Sequence, residues 1–207
     1  MRNFVFVTAI LLATGTSVFA QGLQFGVKAG GNLSSVIVSK DVDGLKSKPG
    51  FQVGVTVDYG LSGNLYLLSG LEVVQKGFKI EQKYEGEKYT STSSPLYLQL
   101  PIYVGYKIDL GVVKFVPQVG PYIAYGLGGK VKQEGFGETE EYDFFGKDSN
   151  FKRLDFGLGM GVGVEFGKIG VTVGYNLGLV NIVDEQEDSD DSSAKNGSLF
   201  LSVGYKF

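Results

Sequence analysis

The 207-residue chain carries 19 basic and 22 acidic side chains, a net charge of −3, and neither histidine nor cysteine. Without imidazoles and thiols, Ser-His-acid and thiol catalysis, histidine-built zinc sites and disulfide stapling are excluded. Mild acidity with no basic patch suited to a phosphate backbone argues against a nucleic-acid partner.

Met1–Ala20 reads as a secretory signal. Arg2 and the terminal amine give a positive start, Phe4–Ala13 is mostly apolar but too short to span a bilayer comfortably, and Val18-Phe19-Ala20 sets a cut before Gln21. No later segment has the roughly 18 uninterrupted apolar residues of a spanning helix. Export then leaves the periplasm, the exterior, or an outer membrane crossed by strands.

From Leu23 onward the period is two. The first strand, about Leu23 to Asn32, puts Phe25, Val27 and Ala29 on one face and Gln24, Gly26 and Lys28 on the other. The second spans about Gly50 to Tyr59. Leu61-Ser62-Gly63-Asn64 is a compact turn composition, and the third strand follows over about Leu65 to Gly77, with Ser69 the polar exception on its apolar face. The fourth runs about Leu96 to Lys107 and the fifth about Val113 to Gly128. Leu154 to Phe166, Ile169 to Leu179 and the terminal Ser198–Phe207 complete eight. Pro101, Pro117 and Pro121 fall within strands four and five and predict a bulge or broken ladder, since proline brings no N–H.

The connections alternate in length. Those after strands two, four and six are a few residues; those after one, three, five and seven are polar and long, about Ser34–Pro49, Lys79–Pro95, Gly129–Lys152 and Asn181–Gly197. This parity predicts an all-β, eight-stranded antiparallel up-and-down transmembrane β-barrel with short periplasmic turns and four long extracellular loops. The domains are a signal peptide at 1–20 and a barrel at 21–207.

The apolar faces hold no charge, whereas the opposite faces hold Lys28, Asp58, Glu72, Lys76, Lys107, Lys114, Arg153, Asp155, Glu165 and Lys206. A midplane Lys or Arg facing lipid costs roughly 2–4 kcal/mol, so the apolar side faces out and the charges line an interior polar network. Outward aromatics near the short-turn end, among them Phe25, Tyr59, Tyr106, Phe166, Tyr205 and Phe207, predict an interfacial girdle. Eight strands enclose a space that side chains fill, so a polar plug is favoured over a pore. Gly157, Gly159, Gly161 and Gly163 leave a cavity, make room for inward rings such as Tyr103 and Tyr122, or permit bending.

Several motifs in order carry a family resemblance. Leu23-Gln24-Phe25-Gly26-Val27-Lys28, Gly70-Leu71-Glu72 through Gln75-Lys76-Gly77, Tyr97-Leu98-Gln99-Leu100-Pro101, Gly120-Pro121-Tyr122 and Asp155-Phe156-Gly157 together resemble the PorT-like outer-membrane β-barrel proteins of Bacteroidota. The resemblance implies an eight-stranded barrel that tolerates the prolines, but no shared activity. Its founding member is associated with protein secretion across the outer membrane. Gln99 stands where that family commonly has Glu.

No catalytic constellation emerges. Asp155 and Glu165 lie ten residues apart on one strand, roughly 33 Å by strand rise, too far to cooperate. The acidic stretch 184–191 lacks the ligand spacing of a calcium loop and reads as a solvated loop, with cation binding undecided. In the loop over 133–151, Tyr142, Phe144 and Phe145 are interaction candidates; aromatics of this kind mark a partner-binding surface or pack on the barrel rim.

The resulting expectation is a non-enzymatic integral outer-membrane barrel without cofactor, catalytic or metal residues. It is monomeric, surrounded by outer-membrane lipid, and structural or partner-binding through its extracellular loops, the partner being an envelope or extracellular protein. The alternatives are a small channel, transport or secretion-accessory barrel, and a soluble lipocalin-like carrier, which would turn its apolar faces inward.

Overall fold

The computed structural model describes residues 22–39, 42–84, 87–135, 138–146, 149, 151–183 and 193–207. The signal expected at 1–20 and the acidic stretch 184–191 lie outside these. No described helix is long and apolar enough to cross a membrane; a barrel crosses with strands.

The described residues form eleven strands: β1 (Leu23–Val38), β2 (Leu45–Ser62), β3 (Leu65–Gln75), β4 (Phe78–Tyr84), β5 (Glu87–Tyr106), β6 (Ile108–Asp109), β7 (Lys114–Gly135), β8 (Glu138–Asp143), β9 (Leu154–Phe166), β10 (Ile169–Gly178) and β11 (Ala194–Lys206). Every pairing is antiparallel, and eight of the pairings form a ring: β1–β2, β2–β3, β3–β5, β5–β7, β7–β9, β9–β10, β10–β11 and β11–β1. Stepping between paired neighbours from Leu23 passes Tyr59, Leu67, Val104, Val119, Met160, Tyr175 and Leu199. It returns to β1 at Leu33, ten residues beyond the start. A stagger of ten over eight strands corresponds to a strand tilt of roughly 40°. The ring is a closed barrel with no free edge in its membrane-spanning part.

The faces sort as the alternation requires. Val53, Val55, Leu71, Val104, Ile123, Leu158, Met160, Val171, Val173, Leu201 and Val203 are all exposed on the outside. Asn32, Gln52, Asp58, Glu72, Lys76, Gln99, Asp155, Asn176 and Ser202 are buried inside. A soluble carrier would show the reverse. Phe25, Tyr59, Tyr106, Phe166, Tyr205 and Phe207 are exposed near the ends joined by the short turns, which form one aromatic girdle.

The long connections lie at the opposite end, and strand structure continues into all four, β11 beginning at Ala194 opposite Val38. β1 and β2 reach out to Val38 and Leu45, β4 and β5 form a hairpin, and β7 and β8 form another. β3 and β4 act as one strand: Gln75 opposite Leu96 and Phe78 opposite Ser93 keep a single register past Lys76-Gly77. Register shifts between Gly60 and Ser62 on β2, again on β2 between Ser47↔Phe78 and Gln52↔Val74, and at Leu96/Tyr97 of β5, where Leu127 of β7 is skipped.

The prolines interrupt ladders without shifting them. Pairing of β3 with β5 lapses between Ser69↔Ile102 and Glu72↔Gln99, around Pro101. Pairing of β5 with β7 lapses between Pro101↔Tyr122 and Val104↔Val119, around Pro121. Each proline keeps a partner on its other side, Tyr122 for Pro101 and Leu158 for Pro121. The missing N–H therefore costs a local gap and not the closure.

Candidate functional site

The lumen is built in tiers. Near the short-turn end, four charges meet from β2, the β5–β6 link, β9 and β11. Lys107 lies 2.7 Å from Asp58 and 3.5 Å from Glu165, and Lys206 bridges the same two carboxylates. The Lys107 ammonium also sits 4.2 Å from the centre of the Tyr66 ring. Two cations and two anions in alternation are the arrangement that lets charge be buried without a net penalty of unpaired groups.

Above this quartet is a cavity of about 100 Å³ whose lining includes Lys28, Asp58, Glu72, Tyr103, Gln118 and Thr172. Lys28 and Glu72 pair at 2.6 Å on its wall, and the Tyr103 hydroxyl donates to Asn176 Oδ1 at 2.9 Å. β9 makes room for rings on this level. A β-carbon on Gly159 would stand 2.1 Å from the Tyr103 hydroxyl, and one on Gly157 would stand 2.7 Å from the Tyr122 ring. Gly163 lines the cavity instead.

The next tier holds the most buried pair. Lys76 Nζ and Asp155 Oδ2 are 2.9 Å apart, with both side chains at most 1 % exposed. Asn196 Nδ2 donates to the same carboxylate oxygen at 2.9 Å. The ammonium lies 4.5 Å from the Tyr122 ring centre and 5.2 Å from that of Tyr97. Tyr97, Gln99 and Asn196 are not among the candidates for the interior polar network. The signal for Tyr97 and Gln99 is their inward parity on β5, which they share with Tyr103.

An aromatic cap closes the long-connection end. Phe144 and Phe145 follow β8 and turn inward, where they are buried with Tyr97, Tyr122 and Ala124. Phe145 packs edge-on to Tyr97 at 5.7 Å, and Phe144 stacks on Phe151 at 4.2 Å. Arg153 donates to the carbonyls of Gly126 and Phe145 at 2.9 and 3.0 Å, pinning the cap to the rim. Rings pack at the long-connection end of the lumen and ion pairs gather at the other.

The expected residues divide accordingly. Lys28, Asp58, Glu72, Lys76, Lys107, Asp155 and Glu165 come together inside, with Lys206. Lys114 is exposed at the start of β7, and Arg153 serves the cap and not the ion-pair tiers. Phe144 and Phe145 pack on the rim, whereas Tyr142 is exposed on β8.

Outside the membrane, the hairpins carry their own charges. Glu81 meets Lys46, Lys79 and Lys88 at 2.6, 2.7 and 3.3 Å. Lys130 pairs with Glu141 at 2.6 Å and Lys132 with Glu134 at 2.5 Å. The lysine hydrogen bonds hold the Glu81 carboxyl down to about 2. Among the described residues, no group of three or more carboxylates converges as a metal site.

No curated protein matches the chain. Among solved structures, Neisserial surface protein A is 16 % identical with a TM-score of 0.45, covering 90 % of this chain and 100 % of its own. OprG from Pseudomonas aeruginosa is 12 % identical with a TM-score of 0.42, covering 90 % and 97 %. The outer membrane enzyme PagL is 12 % identical with a TM-score of 0.41, covering 84 % and 97 %. Likenesses this distant add nothing to the functional reading. A family model described as outer membrane protein beta-barrel domain matches residues 19–184. The chain belongs to that family and is an outer-membrane protein.

Proposed function

We propose that the protein is a non-enzymatic barrel with a closed lumen, working through the hairpins that it raises outside the outer membrane. It serves envelope structure or binds an envelope or extracellular protein there. In this reading residues 1–20 are removed on export, the barrel is monomeric, and its kinship within the family is with the PorT-like proteins, whose motifs it resembles.

The observation that carries the proposal is the cap. Phe144 and Phe145 fill the mouth directly above the fully buried Lys76–Asp155 pair. A conducting eight-stranded barrel needs an open axial path, and here rings and ion pairs occupy it. The sequence, with neither histidine nor cysteine, also lacks the usual nucleophile-activating bases.

Planar-bilayer recording on single barrels tests the closed lumen. The expected result is no unitary conductance, and steady ohmic steps from the unaltered protein would overturn it. Chemical crosslinking on intact envelope, followed by identification of proteins joined to the hairpins, tests the binding role.

A further inference from the structure

The outer hairpins hold like charges face to face. Lys46 of β2 lies opposite Lys79 of β4, and Lys83 of β4 lies opposite Lys88 of β5. Like charges directly opposed destabilise a sheet. Phe78 packs inward against the aromatic cap, so by alternation Lys79, Glu81 and Lys83 point the other way. That is the face which, lower on the same continuous strand, shows Leu71 to lipid.

Glu81 is placed among these lysines. Its side chain is 16 % exposed, while those of Lys46 and Lys88 are 56 % and 58 % exposed. One carboxylate gathers three ammonium groups and cancels a single charge. The neighbouring acids Glu134 and Glu141 pair with Lys132 and Lys130, Asp143 lies opposite Lys130, and Glu134 also lies within the field of Lys79 and Lys88, so four carboxylates face the six lysines Lys46, Lys79, Lys83, Lys88, Lys130 and Lys132. A surplus of positive charge is left on this face among the described side chains. It is assembled from three strands, so no run of the sequence displays it.

The surplus sits just above the lipid belt. Thr92, opposite Lys79, is four residues beyond the outward-facing Leu96. On a tilted strand this is roughly 10 Å along the barrel axis, and a lysine stem can reach back toward the headgroups.

We propose that Lys46, Lys79 and Lys88, gathered on Glu81, bind the phosphate groups of the outer-leaflet lipid beside the barrel. The surface lies on the same outer wall as the lipid-facing belt, separated from it by Gln75, Gly77 and Ser94, and its charge complements an anionic headgroup. The proposal rests on the outer-membrane placement and is independent of whether the lumen is closed.

The test uses the barrel purified in detergent micelles, with bound lipid counted by native mass spectrometry. The probes are a diphosphorylated lipid A, its dephosphorylated form, and inorganic phosphate. The expected result is at least about a tenfold preference for the phosphorylated lipid, unaffected by inorganic phosphate at equal concentration. K46Q/K79Q/K88Q should abolish the preference, and K168Q, on the opposite turn, should keep it. Glu81→Gln removes the competing carboxylate and should tighten binding several-fold, which a merely weakened fold would not do. Equal binding of the two lipids, a preference that survives in the triple variant, or displacement by inorganic phosphate would overturn the proposal. Should the triple variant fail to fold, unchanged or weaker binding by Glu81→Gln would overturn it alone.

Discussion

Ser69 donates its hydroxyl to the carbonyl of Pro101 at 2.7 Å, across the gap that the proline opens between β3 and β5. Ser69 is the polar residue on an otherwise apolar face, and the gap explains it. A carbonyl that loses its ladder partner beside lipid has no water to turn to. Ser69→Ala should therefore destabilise the barrel by about 1–3 kcal/mol, and Ser69→Thr by much less. Urea unfolding in lipid vesicles measures both, and equal midpoints for wild type and Ser69→Ala would remove this role from the hydroxyl.

Val162 lies outside the barrel between Pro117 and Val173. Val162→Arg places a cation in hydrocarbon at a cost of roughly 2–4 kcal/mol near the midplane. The expected outcome is failure to assemble, read as loss of the heat-modifiable folded band on gels. Normal insertion would contradict the outward assignment of this row.

Asp155→Asn leaves the Lys76 ammonium buried with two aromatic rings and no counter-charge. Breaking one side of a buried pair costs about 3–5 kcal/mol, whereas replacing both partners with apolar residues is often near neutral. The double variant Lys76→Met/Asp155→Leu should recover more than half of the loss in the same unfolding assay.

Gly126 faces the cap, and a β-carbon there would stand 2.3 Å from the Phe145 ring. Gly126→Ala must push that ring out of the mouth or bend β7. Conductance that appears in Gly126→Ala but not in wild type would identify Phe145 as the stopper. Silence in a folded Gly126→Ala would assign the seal to the ion pairs below.

Acid should loosen the β2–β4 contact late. The Glu81 carboxyl is lowered to about 2, first by its hydrogen bond with Lys46 and then by that with Lys79. A depressed carboxyl contributes stability that is complete above its ordinary value near 4.5 and fades as pH falls through 2. Hydrogen exchange at Leu45–Ser47 and Phe78–Ile80 should stay protected at pH 5 and lose protection progressively toward pH 2. Protection lost already near pH 6 would show that another group holds this contact.

The strands were legible because a barrel wall has two unlike solvents and each residue must choose one. Leu201 and Ser202 cannot exchange faces without a cost, so their alternation survives in the sequence. The same logic found the lumen charges, since Asp58 or Lys107 has no other place to go. The pairings among them were not legible. Lys76 meets Asp155 across 79 positions, a distance set by barrel closure and stagger that no local spacing encodes.

The continuation of strands into the long connections was hidden for a related reason. Lys79–Lys83 and Lys130–Glu134 lie beyond the lipid, where the outer face meets water and carries charge, so the apolar alternation fades. Only the ladders that both segments make with β5 show the structure. Phe144 and Phe145 were ambiguous because a polar setting in sequence does not reveal which way a turn will fold; Arg153 and the bare face of Gly126 decide it.

Because β1 pairs with β11, the wall has a seam that joins its earliest strand to its last. Seven strands can zip to their neighbours in order, yet Leu33 waits for Leu199 before either has both neighbours. Until that final hairpin arrives, two raw edges remain exposed, each able to take up a foreign strand. The β1–β11 contact is the one that removes both edges, and until it forms each edge is a template for mispairing.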